Sequence, residues 1–159
     1  MSSRADIVMA ITTLVDDWHA MRYPADLGRL WDIRKDLVGA LSELTKHVKK
    51  GYGDRELAYA IRKHDTAREI LAAMEADRKT GAKARPMNLL TIQAENLDSI
   101  LAKKQAEIDA MSDLEETLAV IKMTDKALFA LSQEITDGIN EKQYSQHLEG
   151  LRLKENGIS

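Results

Sequence analysis

Only two residues in this 159-residue chain, Pro24 and Pro86, are incompatible with a helix interior, and apolar side chains elsewhere recur at three- and four-residue steps. That combination restricts the fold to helices interrupted at a few definable places. Ile7, Ile11, Leu14, Trp18 and Met21 share one stripe and predict a first helix from about Ser3 to Met21. Ser3 with Asp6 three residues on resembles a capping box, Asp standing in for Glu. Tyr23-Pro24 is expected to end it, because the residue before a proline is pushed out of helical geometry. Asp26 suits the N-cap of a second helix, whose stripe is Leu30, Leu37, Leu41, Leu44 and Val48, with Trp31 beside it. Gly51-Tyr52-Gly53 reads as its C-cap. Gly39, inside this helix, fits either a close helix approach or no special role. Asp54 then caps a third helix to about Lys79, with Leu57, Ile61, His64, Ala67, Leu71 and Met74 facing one way.

Thr80 to Pro86 is small, basic and ends in proline, so a loop is expected. Beyond it, Asn88 is a possible cap, and Leu90, Ala94, Leu97, Leu101, Lys104, Ile108 and Met111 form a heptad seam with a lysine inside it. A second seam follows: Leu114, Leu118, Ile121, Asp125, Leu128, Ser132 and Ile135. The phase jumps between them. Ser112 with Glu115 resembles another capping box and argues for a break, whereas the absence of Gly and Pro from 105–137 favours one helix with a stammer. Gly138 is read as its end, with Tyr144, Leu148 and Leu151 on a short docking helix before a tail that frays from Glu155.

The expected fold is therefore all-α: an antiparallel helical bundle with a long C-terminal coiled-coil-like helix or helical hairpin. It divides into a three-helix module over 1–80, a basic loop over 81–87, the long helix or hairpin over 88–138, and a docking helix with frayed tail over 139–159.

Composition excludes several chemistries. With no cysteine there is no disulfide, zinc thiolate, iron–sulfur cluster or thiol nucleophile. No apolar run reaches the ~20 residues of a membrane span, and the N-terminal stretch carries Asp6, Asp16 and Asp17 where a secretory signal would be apolar. A cytoplasmic protein is expected. Neither Gly-x-Ser-x-Gly, Gly-x-Gly-x-x-Gly nor Gly-x-x-x-x-Gly-Lys-Ser/Thr occurs. For a metal, Asp16 with His19 and Glu43 with His47 have helical spacing but no matching pair elsewhere. His64 is expected to be a partly buried stripe histidine, and Trp18 and Trp31 core anchors. No catalytic, cofactor or metal site is assigned, and no enzyme activity is expected.

Charge is the most informative global feature. The chain carries a net −3, yet residues 46–86 hold 11 Lys/Arg against 6 Asp/Glu, while residues 87–159 hold 7 against 13. Lys46, Lys49, Lys50, Arg55, Arg62, Lys63, Arg78, Lys79, Lys83 and Arg85, with Arg68, make a candidate basic face. Asp65 can pair with Arg62 and Arg68, so a solvated, salt-bridged face is one reading. The other is a hairpin whose cations contact phosphates. A basic helical module ahead of long oligomerising helices resembles, by architecture alone, small oligomeric DNA-packaging adaptors; no motif carries that likeness and no family is assigned. The leading expectation is a non-enzymatic interaction, scaffold or inhibitor protein acting through protein–protein contacts and forming a homo-oligomer, with a dimer favoured. The alternative is a nucleic-acid-binding adaptor using the basic 46–86 hairpin.

Overall fold

A computed structural model describes residues 2–22 and 24–157. Among them the chain is all-α, with four helices and no strand: α1 (Arg4–His19), α2 (Leu27–Thr80), α3 (Met87–Glu95) and α4 (Asp98–Glu155). The long helices α2 and α4 pack antiparallel. The chain divides into two compact units. Unit 1 comprises Met1–Lys46 with Leu118–Ser159, and unit 2 comprises His47–Thr117.

Helix starts follow local chemistry. Ser3 Oγ accepts from the Asp6 amide at 3.2 Å, satisfying one of the amides a helix N-terminus leaves open. α1 stops at His19, with Ala20 as its C-cap; Tyr23, assigned the stop, lies outside the described residues. Asp26 Oδ1 accepts from the Gly28 amide at 2.9 Å and caps α2. The loop after Thr80 forms as expected, with Gly81 at φ +71° providing the left-handed turn.

Helix ends placed at glycines elsewhere are corrected. α2 runs 54 residues without a break at Gly51-Tyr52-Gly53, so the separate third helix and its cap at Asp54 do not exist. Gly51 lies under Leu114, whose Cδ1 would stand 3.2 Å from an added Cβ. The glycine makes room for a neighbour instead of ending the helix. Likewise α4 passes through Gly138, where an added Cβ would stand 2.6 Å from Leu27 Cδ2. Nothing lies within 4 Å of a Cβ built at Gly39, which is therefore not a close-approach site. Asn88 is not a cap either. Pro86 holds that position, and Asn88 Oδ1 accepts only from the adjacent Leu89 amide.

The second half of the chain is broken at Asn96-Leu97, not at 112–115, and α4 is continuous for 58 residues. Its shielded residues include the row Ile100, Lys103, Glu107, Ala110, Leu114, Thr117, Ile121, Thr124, Leu128, Leu131 and Ile135, with Val120, Ala127, Ser132, Gly138 and Ile139 beside it towards the C-terminal half. The row alternates three- and four-residue steps from Ile100 to Ile135, a continuous heptad seam. The apparent phase jump arises because the apolar side chains leave this seam before Leu114 and occupy it afterwards. The segment beyond Ile139 is the end of α4, exposed from Asn140 to Gly157, not a separate docked helix.

Unit 1 holds a conventional apolar core. Ile7 and Ile11 of α1, Leu30, Ile33, Leu37 and Leu44 of α2, and Leu131 and Ile135 of α4 are buried together. Ile33, not Leu41, completes the α2 stripe. Trp18 packs against this core, and its Nε1–H donates to Glu134 at 2.6 Å. Trp31 is half exposed rather than a core anchor, with the Arg34 guanidinium 5.7 Å from its ring centroid.

Candidate interaction surface

Unit 2 reverses the expected use of its helix faces. The side of α2 turned toward the rest of unit 2 carries Gly51, Arg55, Ala58, Arg62, Asp65, Thr66, Ile70, Ala73 and Asp77, all buried or half-buried, with Ile70 the one large apolar side chain among them. Small residues allow close approach, and charged ones pair across it. Arg62 Nε donates to Glu107 at 2.5 Å, and Lys103 bonds Asp65. The order is complementary: as α2 advances from Arg62 to Asp65, antiparallel α4 runs back from Glu107 to Lys103. Thr66 Oγ1 donates to the Arg62 carbonyl at 2.7 Å. No buried side-chain polar atom lacks a partner among the described residues, so this polar seam satisfies the main condition for keeping charge inside.

Arg85 forms the second anchor of unit 2. Its guanidinium grips the Asp77 carboxylate with Nε at 2.8 Å and Nη2 at 3.0 Å, and Nη1 donates to Gln93 at 2.6 Å. This bidentate fork ties the loop to the end of α2 and to α3. The hydrogen bond from Arg85 holds the Asp77 carboxyl below its usual range and, reciprocally, raises the Arg85 guanidinium. The bond to Glu107 raises Arg62 in the same way. Apolar packing in unit 2 is limited to a few buried side chains, including Leu90, Ala94, Ile100 and Leu114.

The apolar stripe predicted to face the core faces out. Leu57 is 61% and Leu71 64% exposed, with Ile61 and Met74 also exposed. His64 shares that face, its side chain 70% exposed with Nδ1 3.3 Å from Asp65; it is not the partly buried histidine expected. In the second half of unit 2 the same inversion leaves Leu97, in the turn before α4, and Leu101, Ile108 and Met111 of α4 exposed. One signal for this was present in the sequence: Arg62/Asp65 and Lys103/Glu107 each run cation then anion, three and four residues apart, so that antiparallel helices bring opposite signs together.

The eleven basic candidates are scattered. Lys46 lies in unit 1 and is exposed; Lys49, Lys50, Lys63, Arg68 and Lys79 are exposed on α2 in unit 2, and Lys83 is exposed in the loop. Arg55 is half-buried. Arg62 and Arg85 are committed to Glu107 and Asp77, and Arg78 bonds Glu75 at 2.7 Å. Arg62 and Lys63 also flank Tyr59, at 5.4 and 5.9 Å from its ring centroid. There is no hairpin tip at Gly51-Tyr52-Gly53 to gather these cations, because α2 continues through the glycines. Among the described residues no three His, Asp or Glu side chains converge as a metal set, and no helix is long and apolar enough to cross a membrane. No protein-family model, curated protein or solved structure matches the chain.

Proposed function

We propose that this chain is a non-enzymatic interaction or scaffold protein that acts through protein–protein contacts, with the outward apolar stripes of unit 2 as its binding surface. One observation carries the reading: unit 2 turns its ionic seam inward and its apolar seam outward. Water-exposed apolar side chains at helical spacing gain free energy only when something covers them. Four such residues on α2, and three on α4 with Leu97 just ahead of it, form runs, unlike the isolated exposed apolar residues of an ordinary surface. The test is capture from host lysate on the immobilised full chain, compared with a Leu57→Lys/Leu71→Lys variant. Specific partners retained by the native chain and lost by the variant are expected; identical capture by both would overturn the assignment.

A second reading is favoured by the cations that remain exposed on α2, Lys49, Lys50, Lys63, Arg68 and Lys79. These suit sequence-tolerant contact with nucleic-acid phosphates, which weakens steeply with salt. Electrophoretic mobility with duplex and single-stranded DNA across a salt series decides it. No shift at the lowest salt eliminates this role.

A further inference from the structure

The two outward stripes of unit 2 differ in the charges that border them. Between Leu57 and Lys79 the exposed charges are Lys63, Arg68, Arg78 and Lys79 against Glu69 and Glu75. Between Leu97 and Thr117 they are Asp98, Asp109, Asp113, Glu115 and Glu116 against Lys104. One apolar stripe therefore has a basic border and the other an acidic one.

Resting on the interaction reading above, we propose that the occupant of these stripes is a second copy of the chain. The basic-bordered α2 stripe of one copy packs on the acidic-bordered α4 stripe of the next, a head-to-tail contact. Symmetric alternatives are disfavoured by charge. Pairing α2 with α2 would bring two basic-bordered stripes together, and pairing α4 with α4 two acidic-bordered ones. Like charges brought together at an interface are repulsive, whereas the cross pairing places opposite signs together.

The size also fits. A stripe of four half-exposed large apolar side chains offers on the order of 300–400 Å², at the scale of the largest patch a typical monomer shows. Covering one stripe from each copy supplies about 600–800 Å² of apolar area, and the charged side chains along both borders supply the remainder towards the roughly 1,200 Å² at the lower end of specific interfaces. Because each copy carries one stripe of each kind, the contact leaves an unused stripe at either end of a pair. Association then continues past the dimer, into a closed ring or an open chain.

Sedimentation equilibrium on the purified full chain tests this with two variants, Lys63→Glu/Arg68→Glu and Asp109→Lys/Glu115→Lys, each checked for native helix content by circular dichroism. The native chain is expected to exceed 17.8 kDa with rising concentration and to pass the dimer mass. Each variant alone lacks opposed borders, the first carrying two acidic-bordered stripes and the second one basic-bordered and one neutral stripe, and is expected to associate at least tenfold more weakly. In an equimolar mixture the basic-bordered α2 stripe of the second variant meets the acidic-bordered α4 stripe of the first, and association to a mixed dimer is expected to return. A misfolded variant could not produce that recovery. A native chain that stays at monomer mass at its highest soluble concentration overturns the proposal. So does association that stops at the dimer, or that one of the two reversals leaves unchanged. A monomeric result leaves the lysate experiment free to uphold the broader interaction reading with a different partner.

Discussion

Arg62 donates its Nε–H to the Glu107 carboxylate at 2.5 Å, both side chains about three-quarters shielded. This bond, with Lys103 to Asp65 one turn along, sets the rotation of α2 in unit 2. Because Ile61 precedes Arg62 by one residue, about 100° around the helix, turning the arginine inward turns the isoleucine out.

Removing one partner of this bond should cost more than removing both. Glu107→Ala leaves the Arg62 guanidinium half-buried without its acceptor and is expected to destabilise by about 1–3 kcal/mol. The double change Arg62→Met/Glu107→Leu removes the charge and refills the space, and is expected to recover most of that loss. Urea unfolding of the two variants and the native chain gives the comparison. Equal losses in both variants would contradict this account of the seam.

The two faces of α2 should respond oppositely to truncation. Leu37 is fully buried, and Leu37→Ala is expected to cost about 2–5 kcal/mol from lost burial and a partly relaxed cavity. Leu71→Ser, on the exposed stripe, should change the stability of the dilute chain by no more than about 0.5 kcal/mol. Thermal unfolding at low protein concentration measures both. A large loss at Leu71 would show that its stripe is internal after all.

The glycines divide by what surrounds them. Gly53 has open space around a built Cβ, so Gly53→Ala should stabilise α2 by about 0.5–1 kcal/mol through backbone entropy. At Gly138 Leu27 occupies the space, and Gly138→Val is expected to destabilise by roughly 1–3 kcal/mol through overpacking. Denaturation midpoints of the two variants should move in opposite directions.

Acid should release the loop from α2. The Arg85 fork lowers the Asp77 carboxyl relative to the unfolded chain, so its contribution is complete above the ordinary carboxylate range. It disappears as pH falls through the lowered folded-state value. Asp77→Asn is expected to flatten the acid limb of a stability-versus-pH curve while acting much less on its slope near neutrality. An unchanged acid limb would mean that Asp77 adds nothing to the pH dependence.

How much of this was legible in the sequence depended on whether the cause was local. The three- and four-residue spacing fixed the helical class, because the period of apolar side chains is a property of the segment itself. Ser3 and Asp26 were readable as caps, and Gly81 lies in the loop the sequence placed at 80–86, since caps and turns satisfy backbone groups a few residues away. The rest was settled by residues far apart in the chain. Leu114 and Leu27 fill the spaces at Gly51 and Gly138 and carry α2 and α4 past glycines that in isolation resemble helix ends. The choice of inward face in unit 2 was equally non-local. Leu57, Ile61, Leu71 and Met74 would form a sound core stripe by themselves, and only antiparallel α4, offering Glu107 to Arg62 and Lys103 to Asp65, turns them to the surface. A helix can specify by itself which residues share a side. Which side is buried depends on what the opposing helix presents.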